Sequence, residues 1–421
     1  SRMKLHLNFN RTVQDGYREN SRYDRSGLGL VANWNWDVAA MTVFLNGIAL
    51  RAFIPSSLNE QDFIENPEKA AFIWGAVRGF EDYDKRNIGI NYQRHWDIQT
   101  LHRLSLSVSA FSGTYAAYES RPFNILREKS RIYGMRNVLE WQPGDKSGFS
   151  LKAGVEVFEE AYNWQTNRTI SGVMDTLLSD DEELRSYYNL FAEMDRSIGN
   201  WKFSAGLNYN RTLYRLQDRF PSNGDQGGDY VFEPVLSPRL GIKYSLGESV
   251  GLFGTVSHGF SAPNLEETLN PEGQVNPDIR PERGWNMELG LRGIQWKERW
   301  SFDLSIFNMQ IRDLLVAERT NFDQFIGKNA GRTTHRGLEL FFQHHFPVPR
   351  HQLDLGLGYT LADYRFREFT DKEVDYSGKR LPGVAPHVVN VLLDWLSPGG
   401  IFLNGSYQWV DAMPLRDDNV A

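Results

Sequence analysis

Hydrophobic and polar residues alternate along most of the chain, in segments of about ten positions each. Clear examples are Met3–Phe9, Phe149–Val157 and Trp201–Tyr209, where every second residue is apolar. A period of two places all apolar side chains of a segment on one face of a β-strand. The pattern predicts about 17 such strands and no sustained helix.

The connections between the predicted strands alternate between short and long. Short connections lie near 37–40, 97–101, 142–148, 196–200, 245–249, 293–299, 345–351 and 396–400. The intervening connections are predicted as loops of about 15 to 30 residues, far longer than the usual hairpin loop. One of these predicted loops holds the acidic run Ser179–Glu183, which we interpret as solvated rather than as a calcium loop, because it lacks the required Asp/Asn-Gly spacing.

Strict alternation of short and long connections is typical of an up-and-down barrel whose two rims differ. A β-propeller would show a repeat of 40–50 residues, and a sandwich would show irregular loop lengths. The apolar strand faces are rich in Leu, Val and Ile and end in Trp or Tyr, as in a lipid-facing band between aromatic rows. The fold class expected is therefore all-β, a transmembrane antiparallel up-and-down β-barrel with long extracellular loops and short periplasmic turns.

Composition is compatible with this fold and excludes other classes. The chain is 41% hydrophobic and 13% aromatic, and no apolar run approaches the roughly 20 residues of a membrane helix. It contains no cysteine, so disulfides and thiolate metal sites are excluded. The net charge of -7 argues against nucleic acid as a partner. Because bacterial barrels have even strand numbers, about 17 strands predict an incomplete barrel.

Four segments in order along the chain resemble the β-barrel of TonB-dependent outer-membrane receptors. They are Ser257–Glu267, Asn276–Glu282, Lys328–Glu339 and Gly378–Pro386, within the strongest region of resemblance from Ser237 to Trp395. The residues that match the family motifs, and to which the resemblance gives a structural role, are Phe260, Pro263, Asn276, Pro277, Pro281, Glu282, Asn329, Gly331, Gly337 and Glu339.

The resemblance implies a 22-stranded barrel that imports a scarce nutrient through the bacterial outer membrane. Residues 1–421 would form a single incomplete barrel domain, because nothing in the sequence resembles the N-terminal plug or the segment that TonB grasps. The expected partners are outer-membrane lipid, TonB acting through the absent plug segment, and a small-molecule ligand. The protein is expected to be a monomer, without a cofactor or a resident metal.

The ligand class is narrowed by what the motifs lack. Haem receptors of this family carry a histidine between the first two motif segments, and 264–275 contains none. Haem is therefore disfavoured. Among the other ligands that the resemblance implies, a ferric siderophore is expected, with a glycan or peptide as the nearest alternative. A passive porin, a structural barrel or an adhesin are the alternatives from another class.

Other candidate chemistry in the sequence is weak. Gly27–Ala32 matches a dinucleotide-binding pattern, but no helix follows it, so we interpret it as a strand. His344, His345 and His351 fall at a predicted short turn, so we interpret them as solvated turn residues and not as a metal site. His258 lies on a strand, and we interpret it as structural. No nucleophile–base or zinc motif is present, so the sequence predicts no enzyme.

Ligand capture is therefore expected at the inner wall near the outer rim. Aromatic and polar groups that converge in a cleft suit a small chelate. The predicted inward-facing positions there are Phe111, Tyr115, Phe158, Tyr187 and His335.

Overall fold

The structure, a computed structural model, describes residues 2–98, 102–144, 147–225, 227–263, 276, 279–295, 299–321, 324–329, 331–371 and 373–420. Its strands are β1 (Arg2–Gln14), β2 (Tyr23–Asn35), β3 (Ala39–Phe53), β4 (Phe80–Ile98), β5 (His102–Ser120), β6 (Asn124–Gln142), β7 (Phe149–Ile170), β8 (Val173–Ile198), β9 (Trp201–Asp218), β10 (Gly228–Val231), β11 (Val235–Ser245), β12 (Val250–Ser261), β13 (Glu282–Gln295), β14 (Trp300–Arg312), β15 (Leu315–Asn321), β16 (Gln324–Asn329), β17 (Arg332–Phe346), β18 (Gln352–Glu368), β19 (Thr370–Asp371), β20 (Val374–Asp375), β21 (His387–Leu396) and β22 (Phe402–Val410).

Over the described residues, eighteen strands form one sheet, and successive long strands are antiparallel neighbours. β10 pairs only with the outer end of β9, which leaves 17 strands in the up-and-down wall. Two further hairpins, β15–β16 and β19–β20, stand in external connections. The expected all-β, up-and-down architecture is confirmed. Among the described residues, no pairing joins β1 to β22.

The cross-strand register gives the wall two faces of different character. On β6, Tyr133, Met135 and Leu139 share the outer face and are exposed. Tyr133 and Trp141 bound this apolar stripe, about 26 Å apart along the strand, which is close to the height of a hydrocarbon band. The opposite, inner face carries the charged side chains of Arg136 and Glu140 along the same length. The predicted division into lipid-facing and lumen-facing residues is confirmed.

The short connections fall where the sequence predicts them, but two of the predicted long loops are strands. β5 and β6 continue to a turn at 121–123, and β7 and β8 continue to a turn at 171–172. The run Ser179–Glu183 therefore lies within β8, and its interpretation as a solvated loop is wrong. Beyond the tyrosines at the external end of the apolar stripe, polar side chains lie on the outer face and aromatic ones on the inner face. In the sequence, this reversal looks like the composition of a loop.

Two short helices, α1 (Glu60–Glu65) and α2 (Phe72–Val77), lie in the connection between β3 and β4. The side chain of Asn59 caps α1 by accepting a hydrogen bond of 2.8 Å from the backbone N–H of Asp62. Arg18 donates to the carbonyls of Ser56 and Lys69, at 2.8 and 3.0 Å, and so ties this connection to the preceding one. No helix in the described part of the chain is long and apolar enough to cross a membrane.

In the described parts of the chain, five phenylalanine rings on the inner face each lie over a glycine of the neighbouring strand. At each of these glycines a Cβ atom would overlap the ring, so only glycine lets the ring lie against the wall. The pairs are Phe44–Gly89, Phe111–Gly134, Phe191–Gly154, Phe253–Gly290 and Phe307–Gly337. The arrangement buries ring faces without filling the lumen.

Motif residues hold the external connections next to β13 and β17. Asn329 accepts from the backbone N–H of Arg280 at 2.9 Å and donates to the carbonyl of Asp313 at 2.7 Å. The carboxylate of Glu282 accepts from the backbone N–H of Leu315 at 2.6 Å. Gly331 has a φ of +54°, and a Cβ there would collide with the carbonyl oxygen of Glu368. Asn329 and Glu282 thus connect these external segments, and Gly331 allows the close approach of Glu368.

Replacing Gly331 by alanine should lower the thermal stability of the folded barrel, because it adds both left-handed strain and a collision with backbone. We expect a loss of about 1 kcal/mol or more, measured as a lower melting temperature in detergent. The matched control is Gly259→Ala, where a Cβ would meet nothing within 4 Å. Equal melting temperatures for the two variants would contradict the assigned role.

Candidate functional site

The candidate site lies on the tall part of the wall formed by β5 to β9. Outer-face aromatic residues on three of these strands, Tyr133, Tyr188 and Tyr209, mark where the apolar stripe ends. Residues beyond them project past the membrane band, and their inner-face side chains surround the mouth of the lumen. Backbone pairing keeps this part of the wall regular, so side-chain positions there are set by strand register.

An aromatic ladder crosses this inner wall from β5 to β9. It consists of Phe111, Phe158, Tyr187 and Tyr214, with successive ring centroids 6.2, 5.4 and 6.0 Å apart. Gly134 on the intervening strand β6 leaves the gap through which Phe111 reaches Phe158. The ladder therefore continues across five strands and offers ring edges and faces to the lumen.

The outer end of the ladder is fixed to a motif segment. The hydroxyl groups of Tyr187 and Tyr214 are 2.7 Å apart, and Tyr214 donates to the carbonyl of Pro263 at 2.9 Å. Pro263 is among the most deeply buried residues of the chain. The end of β12 is thereby tied to β9, and two predicted features, the ligand-facing Tyr187 and the motif Pro263, belong to one network.

A buried polar group lies directly beyond the ladder, and we refer to it as the mouth cluster. Its centre is Arg185, whose guanidinium donates to Glu183, lies 3.8 Å from Glu160 and stands over the rings of Tyr162 and Tyr214 at 5.6 and 5.2 Å. The members of the mouth cluster are Glu128, Glu160, Tyr162, Glu183, Arg185 and Tyr214.

Burial governs the protonation of the mouth cluster. Burial and the adjacent Glu128 carboxylate raise the pKa of Tyr162 far above its usual range, so its hydroxyl remains a donor to Glu128. Burial also raises the pKa of Glu183, and the charge of Arg185 opposes that shift. Burial alone would lower the pKa of Arg185, but the Glu183 carboxylate raises it, so Arg185 stays charged. One cation thus holds two carboxylates in place.

The acidic run interpreted as a solvated loop contributes buried groups to this wall. Asp181 is only 6% exposed and lies opposite Asp218 on β9. Burial, followed by the carboxylates of Asp218 and Asp180, raises the pKa of Asp181 to about 7. Asp181 therefore changes charge near neutral pH, whereas a solvated aspartate would stay ionised.

The structure brings four of the five predicted ligand-facing residues onto this wall. Tyr115 lies beside the ladder, with its hydroxyl 3.5 Å from Glu128 and its ring 5.9 Å from that of Tyr83. His335 lies elsewhere, on β17, where its ring stacks on Tyr364 at 4.4 Å and its Nε2 is 3.1 Å from the hydroxyl of Thr333. All five occupy the inner face, but His335 is not part of the aromatic ladder.

The remaining motif residues occupy strand ends and external connections. The side chain of Asn276 donates to the carbonyl of Gly327 at 3.4 Å, and Pro281 is buried at the start of β13. Phe260 lies in β12 opposite Arg283, and Glu339 on β17 lies between Ser305 and Thr360. Pro277 lies outside the described residues.

The other histidines named in the sequence analysis each contact an aromatic or acidic neighbour. His344 and His345 lie within β17 and not in a turn, so that part of their interpretation is wrong. His345 is 2.9 Å from Asp354, His351 accepts from the indole of Trp395 at 3.2 Å, and His344 packs edge-on against Phe346. His258 packs against Trp285, with ring centroids 5.1 Å apart. No group of three metal-ligating side chains occurs within the described ranges.

Sequence reasoning found Phe158 and Tyr187 but missed the other residues of β7, β8 and β9 that line the mouth. Trp164 is 1% exposed, and Tyr162, Glu183, Arg185 and Tyr214 are all buried. Residues 162–166 and 181–187 do alternate as strands should, but here aromatic and charged residues lie on the inner face. The alternation was obscured because the outer face of the same segments is polar.

Comparisons with known proteins agree with this fold. Residues 6–421 match the family model "TonB dependent receptor-like, beta-barrel". Among solved structures, the ferric citrate transporter FecA has a TM-score of 0.79 at 15% identity, over 99% of this chain and 62% of that protein. The ferric yersiniabactin uptake receptor FyuA from Yersinia pestis has a TM-score of 0.73 at 14% identity, over 99% of this chain and 65% of that protein. The copper transporter OprC has a TM-score of 0.71 at 13% identity, over 96% of this chain and 62% of that protein.

Tyr214→Phe should loosen the tie between β9 and the end of β12. The variant keeps the ring in the ladder but loses a buried hydrogen bond, for which we expect a cost of about 1–2 kcal/mol. Hydrogen–deuterium exchange of the peptide that covers Phe260–Pro263 should become faster. Tyr209→Phe on the outer face should leave that exchange unchanged. Unaltered exchange in Tyr214→Phe would show that the hydroxyl does not hold the segment.

Asp181→Asn should stabilise the β7–β8 hairpin more at pH 8 than at pH 5. The raised pKa means that the folded state favours the protonated acid, so ionisation weakens stability as pH rises from the unfolded value near 4 through about 7. The asparagine variant avoids that loss. The test is the melting temperature of wild type and variant at both pH values, and an advantage that is larger at pH 5 would contradict the assignment.

Proposed function

Because the chain belongs to the TonB-dependent receptor β-barrel family, we propose that it forms the wall of a receptor that captures a ferric siderophore and imports it with energy from TonB. Family and fold are those of transport receptors of the bacterial outer membrane and not of enzymes. The chain spans 62% of the length of FecA. The ligand, the import and the coupling to TonB of the whole protein are therefore proposals.

The observation that carries the proposal is the aromatic ladder at the mouth of the lumen. Rings that line a cleft together with hydroxyl and carboxylate groups suit a small organic chelate, which offers flat or apolar surface and several polar atoms. A passive pore has no need of such a row of aromatic side chains at its mouth. FecA and FyuA, which share the fold, are named for ferric citrate and ferric yersiniabactin.

TonB would act through a plug domain and a TonB-binding segment, neither of which this sequence resembles. We propose that residues 1–421 form one barrel domain and that the ligand enters through its outer mouth. The ladder residues, together with Tyr115 and His335, are the proposed ligand contacts. Glycan or peptide import by the same architecture is the second candidate, since aromatic ladders also bind sugar rings.

Tyr187→Ala in the complete encoded protein should weaken binding of the transported ferric siderophore about tenfold, since aromatic anchors in a cleft commonly contribute that much. The test is growth on a panel of ferric siderophores, haem, cobalamin and oligosaccharides in a strain that lacks its own receptors, followed by measurement of the dissociation constant. Tyr188→Ala is the matched control, because the neighbouring tyrosine faces outward.

Three results would count against the proposal. Growth on oligosaccharides alone would favour the glycan importer. Uptake of small solutes without TonB would indicate a passive pore. Equal loss of binding in the two tyrosine variants would show that the inner face has no special role.

A further inference from the structure

A row of basic side chains stands on the outer face of β6 where that strand leaves the membrane band. Arg131, Lys129 and Arg127 occupy the three successive outer-face positions beyond Tyr133, and all are exposed. Successive positions on one face of a strand are about 7 Å apart, so neighbouring cations can contact the same phosphate group. Arg131 is therefore placed at the depth of lipid headgroups, and Lys129 and Arg127 extend the row outward from it.

The row lacks the partners that other outward arginines have. In the described structure, Lys129 and Arg131 make no ion pair and no side-chain hydrogen bond, and Arg127 stacks on Tyr118 at 5.6 Å. In contrast, Arg11 pairs with Asp24 at 3.1 Å and Arg215 pairs with Asp229 at 2.9 Å. The basic row is thus a source of positive charge that the protein itself leaves uncompensated.

The acidic groups around the row are mostly engaged with other residues. Glu182 forms an ion pair with Arg219, and Asp180 accepts a hydrogen bond from Gln165 at 2.8 Å. Glu159, which lies opposite Tyr133, is exposed and lies one position closer to the membrane than the row. The local balance therefore remains positive.

Two adjacent cavities on the outer face match the two parts of a lipid. One, of about 710 Å³, contains the basic row and a floor of small residues that includes Ala116 and Ala161. The other, of about 600 Å³, is mainly apolar and is lined by Leu28, Leu45 and Ile88. Thr114 lines both cavities, so they adjoin.

We propose that this surface binds a phosphate-bearing lipid of the surrounding membrane. The phosphate is held by Arg127, Lys129 and Arg131, and an acyl chain lies in the apolar cavity. Anionic headgroups attract Lys and Arg at the membrane surface, with about a fivefold gain in affinity for each basic residue. The assignment is independent of the transported ligand, because it concerns the opposite face of the wall.

The test compares lipids that the purified barrel retains in detergent micelles, measured by native mass spectrometry. Micelles contain phosphatidic acid, phosphatidylcholine or added inorganic phosphate. Arg127→Gln/Lys129→Gln/Arg131→Gln should reduce retention of phosphatidic acid on the order of a hundredfold. The control Arg11→Gln/Arg51→Gln/Arg215→Gln removes the same charge from outward arginines that are already paired, and it should change retention less than about threefold.

A second variant tests the apolar cavity and leaves the charged residues unchanged. Gly47→Leu adds a side chain where a Cβ would meet nothing within 4 Å, so it should fold normally and fill the cavity. It should lower retention of phosphatidic acid at least fivefold. Equal losses in the two triple variants would overturn the proposal, as would full retention in Gly47→Leu. Displacement of the lipid by equimolar inorganic phosphate would show that the site takes free phosphate and not a lipid.

Discussion

Cross-strand hydrogen bonding of the backbone is the constraint on which everything else in this molecule depends. Each strand of the wall satisfies its peptide groups through its neighbours, so the side chains are free to divide between two different solvents. The register then fixes which residues meet. A shift of one position would send the apolar row of Tyr133 and Met135 into the lumen and the aromatic ladder into lipid. The site at the mouth is therefore a consequence of the same pairing that makes the barrel.

The inner wall combines two ways of packing without a solid core. Along the strands, phenylalanine rings lie over glycines, as Phe111 lies over Gly134, and this leaves the lumen open. At the mouth, burial is deeper, and Arg185 holds Glu183 and Glu160 among the rings of Tyr162 and Tyr214. Removing Arg185 would leave buried carboxylates without a cation, a costly state. The mouth is thus a preorganised surface, as the proposed ligand site requires.

The sequence was sufficient to predict the strands within the membrane band, the short turns and the family motifs, because alternation is strict wherever one face contacts lipid. It also placed Phe111, Phe158 and Tyr187 on the inner face. It failed above the band, where the outer face meets water and the apolar residues are found inside. There Asn163 and Gln165 face outward while Trp164 is buried, and so the outer part of strand β7 was predicted as a loop. The contacts of Arg185 depend on three strands at once, and no local pattern specifies such a meeting.

The most direct test of the claim that the inner wall at the mouth captures the ligand uses the absence of cysteine from the chain. A single cysteine is introduced as Tyr187→Cys or as Tyr188→Cys, and its labelling by a membrane-impermeant maleimide is followed with and without a saturating ferric siderophore. The account predicts that the ligand slows labelling at position 187 and leaves position 188 unchanged. Labelling rates at 187 that are the same with and without ligand, for every siderophore that the receptor transports, would contradict it.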